Sequence, residues 1–222
     1  MAISTHLILK WLHILALAYW LGGEWGIFQL SYHIVNPRLS VEERKRDLET
    51  AYRIDILARI GIVLLLPIGF QMGYDLGAHD LEKLILPVWV VMLSFLALVL
   101  AAFVARGTPL GLRLTRIDER LRYVLVPILF GTALWSLLSG WPFTAKWFAA
   151  KVLIYSLLLA IGLALRFIMR HWSSIMLRLE REGAAPALEA QLAREQNYGH
   201  ILAYVYWIGI ATVAFLGVTK PF

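Results

Sequence analysis

Six apolar stretches, near residues 8–34, 54–76, 84–105, 119–139, 146–170 and 198–218, are each long enough to cross a hydrocarbon core, which takes roughly 20 helical residues. Backbone in lipid must satisfy its own hydrogen bonds, and only helices and closed barrels do so. Stretches of this length are helical rather than strand-like, so the chain is expected to be all-α. It reads as a polytopic membrane helical bundle of six transmembrane helices, one membrane domain over residues 1–222. Composition agrees: 60% of the residues are hydrophobic and 16% charged, well away from the soluble norm. The first stretch lacks the short apolar core and small-residue cleavage site of a removable signal peptide and reads as a permanent helix.

The 21 lysines and arginines are unevenly spread. Only Lys10, Lys83, Lys146, Lys151 and Lys220 fall on the side that holds the termini; all others lie in or beside residues 35–53, 106–118 and 171–197. The positive-inside rule makes those three segments cytoplasmic and puts both termini on the non-cytoplasmic side. The expected location is a bacterial inner membrane. The net charge of +6 is thereby a topology signal, and no nucleic-acid partner is expected. There is no cysteine, which excludes disulfides, covalent c-type haem attachment and thiolate-held metals within the chain. No phosphate-binding glycine loop, dinucleotide fingerprint, zinc-protease pair or nucleophile elbow is present, so soluble-style hydrolase or nucleotide chemistry has no support.

Two segments give the chain its organisation. Residues 171–197 read as a cytoplasmic amphipathic loop of two short helices broken at Gly183 and Pro186, with Ile175, Leu177 and Leu179 toward lipid or protein; a solvated connector is the alternative. The second is an internal repeat over 53–105 and 116–170. "RIDILARIGIVLLLPIGFQMGYDLG" at 53–77 aligns without gaps on "RIDERLRYVLVPILFGTALWSLLSG" at 116–140. Apolar matches between membrane helices are cheap, but Arg53/Arg116, Asp55/Asp118, Arg59/Arg122 and Lys83/Lys146 are polar. Helices two and three therefore read as a hairpin duplicated as helices four and five, in parallel topology.

On a helix turning about 100° per residue, His6, His13, Trp20, Glu24 and Ser31 share one face of the first helix. Ionisable groups inside a span need a reason. For Glu24 the candidates are a buried ion pair or proton relay with Arg59, its duplicate Arg122 and, on the opposite side, Lys146. Alternatively, Arg59 and Arg122 grip an anionic group such as a haem propionate. Gly22 and Gly26, like Gly69 and Gly73, have the small-xxx-small spacing of close helix contacts. His13 is either an interhelical hydrogen-bonding residue or an axial haem ligand and hence the metal-binding residue, since neutral imidazole brings no net charge into lipid. A second ligand at similar depth is Met72; His79 in the outer loop is less suited. His33, His171 and His200 lie near cytoplasmic helix ends, where His33 and His200 are candidates for a second cofactor. Tyr198, Tyr204, Tyr206, Trp207, Trp141 and Trp147 match an aromatic belt.

The stretch "LKWLHILALAYWLGG" resembles the opening helix of the HemJ-type protoporphyrinogen oxidases and the related CopD-like haem-binding membrane proteins. Two further places are similar to that superfamily: "AKWFAAKVLIY" at 145–155 and the closing "VTKPF". The resemblance touches the first, fifth and last helices. It implies a haem-binding histidine at His13 and the helix-initial lysine at Lys146, with haem b as cofactor.

The leading expectation is an integral membrane b-type haem protein with an electron-transfer or redox role; if it is an enzyme, it is a membrane oxidoreductase. The alternatives are a transporter or permease-like protein using Glu24, Arg59 and Arg122, or an accessory subunit of a larger membrane complex. The implied partners are the lipid bilayer, a redox partner or larger complex, and a second copy of the chain.

Overall fold

A computed structural model describes residues 4–183 and 185–222. Among the described residues there are six α-helices and no strand: α1 (Thr5–Ile34), α2 (Val41–Asp75), α3 (Glu82–Val104), α4 (Pro109–Ser139), α5 (Lys146–Glu182) and α6 (Pro186–Thr219). All but α1 are long and apolar enough to cross a membrane. The apolar run of α1 is broken by Lys10, His13 and Glu24, yet α1 lies antiparallel along the apolar part of α2. Its His13 is opposite Gly69, its Ala16–Trp20 segment opposite Gly61, and its Gly26 opposite Ile54. The chain is thus a helical membrane bundle in which α1 shares the depth of the other five.

Local chemistry sets the helix ends. Ser4 caps α1, Ser40 and Glu43 form a reciprocal capping box at the start of α2, and Thr108 caps α4 just before Pro109. Gly140 closes α4 in the left-handed conformation that lacks a steric cost only for glycine. The helices pack as two four-membered rings. One consists of α2, α3, α4 and α5, the second of α1, α2, α5 and α6, so α2 and α5 belong to both.

Helices α1 and α2 come into tight contact at Gly61, where any Cβ would run into the Ala16 carbonyl and the Trp20 backbone. Of the four glycines expected in close helix contacts, Gly26 and Gly69 do meet the other helix, and Gly22 and Gly73 do not. Gly22 faces open space while Gly23 abuts Ala58, and Gly73 faces Phe148 of α5. Tyr206, assigned to an aromatic belt from sequence, is buried at the heart of the bundle. It belongs to the same buried core cluster as Trp20, Tyr155 and Met92.

The end that carries most of the basic residues, here the basic end, is more ordered than a connector. Helices α5 and α6 run on as continuous helices through most of 171–197 and turn at Gly183. Ile175, Met176, Leu179, Leu188 and Leu192 pack there against Ile34, Leu48 and Ala51, whereas Leu177 remains exposed. The apolar faces thus cover protein at the ends of α1 and α2. Arg44, only 1% exposed, fastens this layer. Its two terminal nitrogens each donate to Glu189 of α6 at 2.8 Å, and its Nε donates to the Ile34 carbonyl at the end of α1 at 2.7 Å. A fork-shaped guanidinium can do this; an ammonium cannot.

At the opposite, terminal end the turns after α2 and α4 join. Thr144 and Ala145 donate backbone hydrogen bonds to the Ala78 carbonyl. His79, fully buried, packs on Phe70, Phe143 and Phe148. Its Nε2 donates to the Phe70 carbonyl at 3.0 Å, and its Nδ1 accepts from the Leu81 N–H at 3.2 Å. Both nitrogens are committed to one neutral tautomer, so His79 has no lone pair to offer a metal. Burial holds this imidazole below the usual histidine range, against smaller upward pulls from the Phe70 carbonyl and Asp80.

Two outcomes follow from these end structures. Replacing Arg44 with methionine strands the Glu189 carboxylate and an α1 carbonyl, and is expected to lower stability by about 3–5 kcal/mol in detergent unfolding. For His79, the unfolded chain binds a proton as pH falls through about 6.5 while the folded chain resists it. Its contribution to stability is therefore complete above that range and lost as pH falls below it. Thermal unfolding between about pH 8 and about pH 5 is expected to show a drop that is reduced in His79→Gln.

Candidate functional sites

The polar stripe of α1 looks into the bundle and meets two separate chambers. The larger, about 470 Å³, occupies the terminal half and is lined by residues of all six helices, almost all apolar. His13 and Met72 both line it. Neither ring nitrogen of His13 makes a hydrogen bond among the described residues, and its Nδ1 is buried without a partner. The ring fits because its neighbour on α2 is Gly69; a methyl group there would stand 3.1 Å from His13 Cε1. The charged residues on this chamber's wall are Lys10 and Lys151.

The smaller chamber, about 80 Å³, lies in the basic half between α1, α2, α4, α5 and α6. It is lined by Glu24, Asp55, Arg59, Arg122 and Arg166, with Ser31, Gln196 and His200 toward the basic end. Asp118 stands behind it as the hub of the charges. Arg122 Nε donates to Asp118 Oδ1 at 3.1 Å, and Arg166 Nη1 donates to the other oxygen. Asp55 pairs with Arg59 one turn away on its own helix, as Asp118 does with Arg122. The Arg122 guanidinium also lies 5.0 Å over the Phe95 ring. The duplicated Asp/Arg motif thus delivers equivalent ion pairs to one chamber from α2 and α4.

An aromatic layer separates the chambers. Trp20, 1% exposed, meets Tyr155 and Tyr206 edge-on with ring centres 6.3 and 5.6 Å apart. Trp20 Nε1 donates to the Tyr206 oxygen at 3.0 Å, and the Tyr155 hydroxyl donates to the Ile62 carbonyl at 2.6 Å.

The residues singled out from sequence are therefore distributed. His13 and Met72 share the apolar chamber. Glu24, Arg59, Arg122 and His200 share the charged one, across the aromatic layer from His13. Among the described residues Glu24 makes no ion pair within 4 Å: of the arginines expected to hold it, Arg59 is taken by Asp55 and Arg122 by Asp118. His200 Nε2 lies 2.8 Å from Ser31 Oγ, which also accepts from Gln196 at 3.2 Å. His33 is exposed and 3.6 Å from Asp47, and His171 is 2.6 Å from Glu195. Lys146 is exposed at the start of α5, at the terminal end and far from Glu24 in the sequence of depths. Two residues were passed over as single positions, Arg166 and Lys151. Each lies within the apolar run of α5, and a charge inside a span was the signal that would have found both.

Asp118 compensates two guanidiniums on two helices and Asp55 one on its own. Asp118→Asn is expected to destabilise the bundle by about 3–5 kcal/mol, and Asp55→Asn by less, when the two are unfolded thermally in the same detergent.

Comparison with protein-family models, with curated proteins and with solved structures finds no match to this chain.

Proposed function

We propose that the chain is a membrane b-type haem protein with a redox role, in which the apolar chamber would hold the haem and His13 would bind its iron. The observation that carries this reading is the state of His13. The ordinary reason for a histidine in a span is an interhelical hydrogen bond, and among the described residues His13 makes none, although its Nδ1 is buried and the residue lines the chamber. The chamber's 470 Å³ falls within the roughly 300–1,000 Å³ of small-molecule and cofactor sites.

The residues present fit such a group. An apolar wall suits a porphyrin plane, an unengaged imidazole suits iron, and Met72 on the same wall is a second donor of a kind haem accepts. Lys10 and Lys151 are the cations available to carboxylate substituents; Arg59 and Arg122, across the aromatic layer, are not. A bound haem would supply one-electron chemistry at its iron. The chain's own part is to exclude water, present one neutral nitrogen and balance the carboxylates. This reading agrees with the resemblance of the first helix to the HemJ-type and CopD-like proteins. The permease alternative requires a route between the chambers, and the Trp20–Tyr206–Tyr155 layer stands across it.

The deciding measurement is the visible absorption spectrum of protein purified from cells supplied with haem, first air-oxidised and then reduced with dithionite. An intense Soret band that shifts on reduction is expected in the wild type, absent in His13→Ala and altered in Met72→Leu. A colourless wild type, or a His13→Ala spectrum equal to the wild type, overturns the proposal.

A further inference from the structure

We infer that the chamber in the basic half is a binding site for a small monovalent anion, and that the Glu24 carboxylate is its tethered competitor. The inference is independent of haem in the other chamber, from which the aromatic layer divides it.

The charges do not balance without Glu24. Arg59, Arg122 and Arg166 face or adjoin the chamber against Asp55 and Asp118, leaving one positive charge in excess. Uncompensated charge at this depth is costly. Glu24 is the remaining carboxylate on the wall, yet no guanidinium lies within ion-pair distance of it. The excess is therefore compensated across open space.

Hydrogen bonding gives the same sign independently. Among the described residues, six buried side-chain nitrogen or oxygen atoms lack a partner; three of them, Arg59 Nε, Arg122 Nη2 and Trp172 Nε1, belong to residues lining this chamber. All three are donors that cannot accept. Arg122 is itself only 4% exposed. A chamber with surplus donors and surplus positive charge takes an acceptor that is negative. Its volume of about 80 Å³ restricts that ligand to a few atoms. Ser31, Gln196 and His200 mark the approach from the basic end, with His200 only partly buried.

Glu24 then has a definite role. Ionised, it supplies the one negative charge that the site lacks; an entering anion makes that charge redundant, and the two repel. The groups facing Glu24 are Asp55 and Arg59 from α2, Arg122 from α4, Arg166 from α5, and Tyr206 and His200 from α6. None of the others is both negative and free of an arginine.

The test uses the full-length protein in detergent. Sodium gluconate, too large for the chamber, is replaced at constant ionic strength by sodium chloride or, in a second series, by sodium acetate, which distinguishes a halide from a carboxylate site. A ligand of the folded state raises the unfolding temperature in a concentration-dependent way that reports its affinity. The part of an anion-dependent tryptophan fluorescence change that Trp172→Phe removes, out of nine tryptophans, reports from the chamber wall. The expected result is stabilisation by at least one of the two anions in the wild type. In Glu24→Gln the half-saturating concentration falls about tenfold or more. In Arg122→Gln the effect is lost, since Asp118 keeps Arg166 and the excess charge disappears. If neither anion acts on the wild type or on Glu24→Gln, the site is overturned. Equal affinity in wild type and Glu24→Gln overturns the competitor role. Should Arg122→Gln fail to fold, the Glu24→Gln comparison decides alone.

Discussion

Asp118 accepts from two guanidiniums, one on its own helix and one on α5, in the interior of a bundle that exposes many large apolar side chains on its outer surface. A charge removed from water is tolerated only beside its opposite. The arginines of α2, α4 and α5 must therefore meet the aspartates of α2 and α4 at a common depth. Two of the pairs close within a single helix, and Arg166–Asp118 fixes α5 against α4. The apolar layers above and below the charges have that alignment in common. They fill the space it leaves rather than choosing it, since lipid chains are as apolar as leucine and apolar burial alone discriminates poorly between helix registers.

The first helix converts this scaffold into two environments. One stripe of α1 carries His13 to an apolar chamber, Trp20 to an aromatic layer, and Glu24 with Ser31 to a charged chamber. The close approach at Gly61 lets Trp20 insert far enough to hydrogen-bond Tyr206. Buried aromatics with satisfied polar tips make a rigid partition. The partition keeps the imidazole and the guanidiniums from sharing one site. The ends are closed by different means: a forked arginine holding three helix ends on one side, a neutral histidine among phenylalanines on the other.

Much of this was legible in the residues. Apolar runs of the right length specify helices wherever the solvent is lipid, and the α1 stripe follows from helical periodicity alone. The polar matches of the repeat marked Asp55, Arg59, Asp118 and Arg122 because a charge in a span is rarely incidental. Arg166 and Lys151 carry the same signal but lie outside the aligned blocks. Arg44 looked like one basic residue among many in a wet segment. Its burial depends on α5 and α6 continuing past the expected membrane boundary, which the mixed polarity of 171–197 does not reveal.

By itself, then, the sequence determined the elements: helices, their number, the face on which α1 is polar and the charges that require partners. Those properties depend on the period of the helix and on the cost of burying charge, which act on each segment alone. The tertiary structure decided the pairings. It matched Arg59 and Arg122 with aspartates in place of Glu24, left His13 without a hydrogen bond, and set an aromatic layer between the two. Which partners meet depends on how far helices remote in sequence rotate and slide against each other, and that is governed by the joint packing of side chains on all six.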